Sequence, residues 1–248
     1  MGLSAIILAA GQGKRLNSPV SKIIIDVAGK PTIYHVLDTI AKLNIDKVYT
    51  IIGYQAEEVK KTILKKYSDE SKYLFVLQKE QLGTGHAVMQ VEPAVKSFEG
   101  EVIILSGDVP LLSEETIKKF YEFHLAKKSK LSVLTTLMPD AGAYGRIVRK
   151  ADDSLEKIVE FKDASEEVRK IKEINSGIYL VNMQRLFEVL HKVSNKNVQG
   201  EYYLTDIIEI MQREGDNVYP FVTKNYKEVQ GINTQEDLAE IEATIKGL

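Results

Sequence analysis

The 248-residue chain contains no cysteine. That excludes disulfides, thiolate nucleophiles and zinc sites built on cysteine, and it is compatible with a reducing cytoplasm. Histidine is scarce, with four residues, and no Ser/His/Asp arrangement is visible, so hydrolase-type covalent catalysis has no evident machinery. An excess of one charge is also missing. Lys and Arg number 33 against 35 Asp and Glu, a net charge of −2, which leaves no global attraction for nucleic acid or an anionic membrane and makes any anion site a local one. No apolar run reaches the roughly 18–20 residues of a membrane span. The chain enters its first strand at once, which leaves no room for a signal peptide. Internal repeats, low-complexity tracts and Pro/Ser-rich linkers are absent as well. What remains is an ordinary globular composition, 44% hydrophobic and 27% charged, with enough length for a sizeable core. The expectation is a soluble cytoplasmic protein.

The most informative stretch is residues 5–22. Ala5 to Ala10 is a continuous apolar run, as a central parallel strand reads when both faces are covered. Gly11 and Gly13 follow, letting the backbone turn tightly and approach a ligand. Arg15 and Lys22 then set positive charge beside backbone N–H groups, the combination a polyphosphate needs. The stretch is not a P-loop, which requires Gly-x-x-x-x-Gly-Lys-[Ser/Thr]. Nor is it a dinucleotide fingerprint, because Leu16 stands where the third glycine would be.

Further on, Gly29-Lys30-Pro31 introduces a helix with proline at its first position, carrying Ile33, Val36, Leu37, Ile40 and Leu43 at helical spacing. Strands at 47–52 and 73–77 flank a polar helix at about 56–66. This β-α-β-α-β order predicts a doubly wound, mostly parallel α/β sheet with ligands at the carboxyl ends of its strands. Gln78 to Val88 opens onto that edge, and Thr84 or Gly85 caps a helix whose free N–H groups suit a base or a sugar. His86 reads as structural. A fourth strand, 101–105, runs into Ser106-Gly107-Asp108-Val109-Pro110-Leu111. The apolar residues after Asp108 hold its carboxylate at the sheet rim, and it is the first candidate for a magnesium ligand. The second half lacks regular alternation. It offers a helix at 113–127, strands at 131–138, 154–161, 174–181 and 218–222, a charged surface segment at 164–172, helices at 182–191 and from about 204, and a last helix capped by Asn233 or Thr234 and packed through Leu238, Ile241 and Ile245. The organisation expected is one domain over 1–248: a nucleotide-binding portion at 1–134, a substrate-side lobe at 135–225 and a closing helical segment at 226–248.

Eight short motifs in one order now make a pattern: Leu-Ala-Ala-Gly-x-Gly-x-Arg (8–15) with Lys22, Gln-x-x-Gln-Leu-Gly-Thr-Gly-His-Ala (78–87), Gly-Asp-Val-Pro-Leu (107–111), Tyr-Gly-Arg-Ile (144–147), Glu160, Asn-Ser-Gly-Ile-Tyr (175–179), Gly-Glu-Tyr-Tyr-Leu-Thr-Asp (200–206) and Gly-Ile-Asn (231–233). The pattern resembles the sugar nucleotidyltransferases over residues 4 to about 246. Within them it is most similar to the uridylyltransferase domain of the bifunctional bacterial enzymes that make UDP-N-acetylglucosamine.

The resemblance implies a Rossmann-like nucleotidyltransferase fold with a sugar-binding lobe, and a role for each match. Ala10, Gly11 and Gly13 would wrap the triphosphate of UTP, with Arg15 and Lys22 as the catalytic cations. Gln78, Gly83 and Thr84 would read the uracil. Asp108 and Asn233 would hold Mg²⁺. Gly145, Glu160 and Asn175 would bind N-acetylglucosamine-1-phosphate, with Lys162 toward the sugar phosphate. The partners implied are small molecules, a nucleoside triphosphate and a sugar-1-phosphate, in cell-wall precursor synthesis. The same chemistry on glucose-1-phosphate or another hexose-1-phosphate, with UTP or dTTP, ranks second, and a non-catalytic regulator that binds nucleotide sugars ranks third. Three residues depart from the family pattern: Lys14 for a common threonine, Ser21 for the proline before the lysine, and Ser106 for an aromatic. The hexapeptide repeats of the bifunctional enzymes' acetyltransferase domain are absent from the sequence, so acetyl transfer is not expected.

Overall fold

A computed structural model describes residues 2–95 and 99–247; the end points of the expected 1–248 domain lie outside them. In chain order the regular elements are β1 (Gly2–Ala9), β2 (Asp26–Val27), β3 (Lys30–Pro31), α1 (Thr32–Ala41), β4 (Val48–Ile52), α2 (Ala56–Leu64), β5 (Tyr73–Leu77), α3 (Thr84–Met89), β6 (Gly100–Ser106), α4 (Glu114–Ala126), β7 (Leu131–Leu137), β8 (Arg146–Arg149), β9 (Leu155–Val159), α5 (Glu166–Arg169), β10 (Glu173–Asn182), α6 (Met183–Leu190), α7 (Asp206–Arg213), β11 (Val218–Thr223) and α8 (Gln235–Lys246).

Seven strands line up as β11-β7-β10-β6-β1-β4-β5, with β8 and β9 attached through β10 to complete a nine-stranded sheet. β1 pairs parallel with both β4 and β6, β4 with β5, and β7 with β11, while β10 runs against its neighbours β6 and β7. The doubly wound sheet expected from the sequence is therefore present, parallel in four of the six pairings along the seven-strand run and antiparallel where β8 and β9 attach. The reversal of β10 has a functional consequence. It brings the beginning of β10 to the edge where β1, β4, β5 and β6 end, so a residue early in β10 can join residues that follow those strands.

Alternation along β1 divides the core. Ala5, Ile7 and Ala9 face one cluster with residues of α1, α2 and α4, and Ile6 faces a second with residues of α3, α6 and α7. A third, smaller cluster of Leu16, Val27, Ile232 and Ile241 ties α8 to the loop after β1. α8 opens with a capping box in which Thr234 accepts from the Asp237 N–H and Asp237 accepts from the Thr234 N–H.

Several details differ from the sequence reading. Pro31 belongs to the β2–β3 hairpin and precedes the helix, which starts at Thr32. Its lack of an N–H is harmless at a helix start in either position. Ile245 is 36% exposed and contributes little to the packing of α8, which rests on Ile241 and Leu238. No helix among the described residues is long and apolar enough to cross a membrane.

Candidate active site

The register places the ends of the parallel strands side by side. Ala9 is level with Ile52, Ile52 with Leu77, and Leu8 with Ser106. The motifs beginning at residues 10, 53, 78 and 106 thus emerge on one edge, above a cleft of about 760 Å³ lined by Arg15, Lys22, Thr84, Asp108, Gly145, Glu160, Asn175 and Asn233.

Two cations converge on one carboxylate and one carboxamide at the mouth of this cleft. The Lys22 ammonium donates to Asp108 Oδ2 and lies 3.4 Å from Asn233 Oδ1 and 3.5 Å from the Ile232 carbonyl. Arg15 Nη2 donates to the same Asn233 oxygen at 3.1 Å. Asn233 is held for this purpose: its amide nitrogen donates to the Gly231 carbonyl and its backbone N–H to Asp237, so Oδ1 is left facing the cations. Asp108 is 5% exposed, and Ser106 Oγ donates to its Oδ1 at 2.5 Å. Gly13, at φ 66°, has no side chain to obstruct Lys22; a Cβ there would lie 3.0 Å from the lysine Cδ. Glycine is needed at this point for both its left-handed backbone and the space it leaves.

Asp108, Asn233 and the Ile232 carbonyl offer only oxygen donors, and a cation already sits where they converge. That donor chemistry fits a hard divalent ion, which needs one or two protein carboxylates and takes its other ligands from phosphates and water. Among the described residues no group of three or more His, Asp or Glu side chains could hold a metal ion.

Across the cleft, Gly145, Glu160 and Asn175 come together. The Asn175 N–H donates to the Gly145 carbonyl at 2.9 Å, and a Cβ on Gly145 would lie 3.5 Å from both Glu160 carboxylate oxygens. Between Asn175 and Ile178 the register of β10 against β7 shifts. This bulge, with Gly177 at φ 75°, re-aims the strand at the cleft. The Asn175 amide donates to Tyr179 Oη at 2.7 Å and its oxygen accepts from the Gly177 N–H. Burial pushes the Glu160 carboxyl above its ordinary range; a hydrogen bond from Thr205 opposes this, and Asp163, Asp206 and Glu201 add to it. Asp206 is likewise raised to about 6, by burial first and then by Glu209 and Asp163. This wall is acidic, whereas the mouth is cationic.

Apart from Thr84, which lines the cleft, the other expected residues frame it without lining it. The Ala10 carbonyl accepts from the Tyr54 N–H and from Gln81 Nε2, and Gly11 is exposed with open space around it. Gln78 is buried and donates to the Gly83 carbonyl. Gly83, at φ 108°, lies so close to residues 201–202 that a Cβ would sit 2.6 Å from the Tyr202 carbonyl. The Gly85 N–H, expected to be free, donates to that carbonyl at 2.8 Å, and Thr84 Oγ1 accepts from the Leu204 N–H. The motifs at 78–87 and 200–206 thus clasp one another. Lys162 is outside the cleft, where its ammonium donates to Gln199. His86 lies between Gln78 and Gln90, as a structural histidine should.

Sequence reasoning missed several participants. Tyr144 lines the cleft and its Oη accepts from the Gly231 N–H at 3.2 Å, which links the sugar-side lobe to the turn that carries Asn233. Its place in Tyr-Gly-Arg-Ile was the available signal. Asp237 could have been read from the Thr234-x-x-Asp237 spacing. Ser132, His124 and Glu101 also form a line, with His124 Nδ1 2.9 Å from Ser132 Oγ and Nε2 3.2 Å from Glu101 Oε2. It resembles a hydrolase triad, but His124 is 1% and Ser132 0% exposed, near the strand ends opposite the cleft. No substrate reaches it, and it joins α4 to β6 and β7.

Residues 4–243 match the family model described as nucleotidyl transferase. The chain is 45% identical over 242 residues to the bifunctional protein GlmU of Geobacillus sp. WCH70, covering 98% of this chain and 51% of that protein. It is 43% identical to GlmU of Bacillus subtilis, over 98% of this chain and 52% of that one. The chain therefore spans about half the length of these relatives. Among solved structures, a UDP-glucose pyrophosphorylase in complex with UDP-glucose superposes with a TM-score of 0.77 at 18% identity, covering 100% of this chain and 99% of that one. At that identity the likeness concerns the fold.

Proposed function

This chain belongs to the nucleotidyl transferase family, and on that premise we propose that it transfers the uridylyl group of UTP to N-acetylglucosamine-1-phosphate, releasing pyrophosphate. The observation that carries this reading is the pairing of Arg15 and Lys22 with Asp108 and Asn233 at the mouth of a cleft whose far wall is the uncharged and acidic group Gly145, Glu160 and Asn175. The identity to bacterial GlmU over nearly the whole chain supports the choice of nucleotide and sugar.

In this scheme a phosphate oxygen of the sugar phosphate attacks the α-phosphorus of UTP in line. The new P–O bond forms as the bond to the bridging α,β oxygen breaks, and pyrophosphate leaves with the negative charge. The phosphate oxygen is already ionised at neutral pH, so no general base is required, and positioning and charge neutralisation provide the rate. Ala10, Gly11 and Gly13 form the loop around the triphosphate. Arg15 faces the leaving pyrophosphate, and Lys22 faces the reacting phosphates. Gln78 and Gly83 shape the base pocket and Thr84 lines it, while Gly145, Glu160 and Asn175 take the sugar hydroxyls and acetamide. Lys162 receives no role.

Family membership implies divalent-metal assistance, and Asp108 and Asn233 are the residues that would hold Mg²⁺. When bound, the metal neutralises phosphate charge in the transition state. We divide the chain functionally at about 134 and 225 into nucleotide-side, sugar-side and closing segments, and the substrates favour a cytoplasmic setting.

Pyrophosphate release from UTP, dTTP and CTP, each paired with N-acetylglucosamine-1-phosphate, glucose-1-phosphate or N-acetylgalactosamine-1-phosphate, tests the proposal. Release is expected for UTP with N-acetylglucosamine-1-phosphate and is abolished by EDTA. Preference for glucose-1-phosphate would overturn the sugar assignment, and no release from any pair would overturn the reaction.

A further inference from the structure

The turn after β4, Gly53-Tyr54-Gln55, grips both ends of the loop that carries the two cations. At the near end, Gly53 packs on Ala10 so closely that a Cβ would lie 2.9 Å from the Ala10 Cβ and carbonyl oxygen. The Tyr54 N–H donates to the same carbonyl at 3.0 Å. At the far end the Gln55 carboxamide makes two bonds. Its Oε1 accepts from the Ser21 N–H at 2.7 Å, and its Nε2 donates to the Pro19 carbonyl at 2.8 Å. Lys22 is the next residue along the chain.

Three features mark this contact as more than incidental packing. Gln55 holds φ 49° and ψ 44°, a left-handed backbone that is uncommon for a residue with a Cβ. Ser21 is fully buried and its hydroxyl has no hydrogen-bond partner among the described residues, whereas Gln55 holds its backbone N–H. A glutamine amide also matches the donor and acceptor it meets. Glutamate would set a second acceptor against the Pro19 carbonyl, and asparagine is one methylene too short to bridge both groups.

We propose that Gln55 is a positioning residue that latches residues 19–21 and thereby sets Lys22 over Asp108 and Asn233. Its catalytic consequence rests on the proposed uridylyl transfer, whereas the latch itself does not. The latch also gives Ser21 a reason to keep its N–H. Proline, the residue the family pattern favours here, has no such donor and fixes its own backbone instead.

Hydrogen–deuterium exchange at the Ser21 amide is the first test. In Gln55→Asn, whose asparagine tolerates the left-handed backbone, exchange at Ser21 rises about fivefold or more, the usual net effect of one lost hydrogen bond, while the cores of β1 and β4 are unchanged. Gln55→Gly, which adopts that backbone without strain, gives the same result and separates the side chain from the turn. Wild-type protection in both variants overturns the latch, even if the chain has no turnover.

Kinetics supply the second test. Gln55→Asn lowers kcat roughly tenfold to a hundredfold, the scale of a slightly misplaced catalytic group, with a much smaller change in KM for UTP. In a Lys22→Ala background the same substitution produces no further fall. An equal proportional fall there overturns the link to Lys22. If the unmodified chain releases no pyrophosphate, the uridylyl reading fails and the exchange result alone decides the latch.

Discussion

Replacing Asp108 by asparagine separates the carboxylate's charge from its shape. The side chain is 7% exposed and faces a Lys22 side chain that is 16% exposed. Asparagine keeps the volume and can still accept the Ser106 hydroxyl through Oδ1, but its amide turns a donor toward the ammonium. The immediate charges of Arg15, Lys22 and Asp108 sum to +2 − 1 = +1, and the substitution makes this +2. Breaking a fully buried ion pair costs about 3–5 kcal/mol. Lys22 retains Asn233, the Ile232 carbonyl and some water, so the loss of stability should be about 1–2 kcal/mol and the fold should survive. The effect on turnover is larger. On the proposed metal role, loss of the Asp108 charge removes roughly 3–4 kcal/mol of transition-state stabilisation, a fall in kcat of about 10²–10³-fold. Binding of free UTP in EDTA moves the other way, becoming equal or tighter, because the cluster gains net positive charge. Pyrophosphate release and calorimetric UTP binding read the two effects separately. Turnover within about tenfold of wild type would remove the metal role, since no carboxylate in that position could then be carrying the charge. A collapse of UTP binding in EDTA would mean that Asp108 serves the nucleotide by orienting Lys22.

Three further outcomes follow from the geometry. Gly83→Ala forces a Cβ to within 2.6 Å of the Tyr202 carbonyl at a backbone φ of 108°, and should cost about 2–4 kcal/mol in a urea melt; a loss under about 0.5 kcal/mol would mean that the clasp between residues 83 and 202 is loose. Asp206 has a native pKa of about 6 against an ordinary 3.8. The unfolded chain therefore ionises first as pH rises, and native stability falls between about pH 4 and pH 6. Asp206→Asn removes that titration. It should leave stability unchanged below pH 4 and raise it by about 1 kcal/mol above pH 6, after discounting for the group's partial exposure; equal shifts in Tm at both pH values would refute the burial argument. Ser132→Ala should cost about 1–2 kcal/mol by leaving buried His124 short of a partner while turnover stays at the wild-type level; lost turnover in the folded variant would make the buried Ser132–His124–Glu101 line functional after all.

Much of the sheet was legible because β1, β4, β5 and β6 are short apolar runs, closed by Gly11, Gly53 and Gly107 in three cases and by the polar run Gln78-Lys79-Glu80 after β5. β1, β4, β5 and β6 were placed to within two or three residues of their observed ends. Periodicity was equally informative for α1, whose buried residues Ile33, Val36, Leu37 and Ile40 recur at helical spacing. The two-residue strands β2 and β3 escaped notice, since so short a hairpin has no period to read, and Pro31 was drawn into the helix that follows it. Ile245 failed as a core position because the end of α8 extends past the body that Ile241 contacts, leaving it partly exposed.

The sequence by itself determined which residue types stand where strands end: glycines and cations after β1, and Asp108 after β6. A chain with parallel strands must present those positions on one edge, so their gathering followed from local pattern and the rules of sheet topology. Only the tertiary structure decided the pairings across long separations. Arg15 meets Asn233 218 positions away, and Gln55 reaches Ser21 across 34. It also decided that the reversed β10 brings Asn175 to the cleft, and that Lys162 faces Gln199 instead. Local periodicity specifies which face of an element is buried. The partner of an exposed polar group at the end of that element depends on strand order, twist and loop closure, which no short window of sequence encodes.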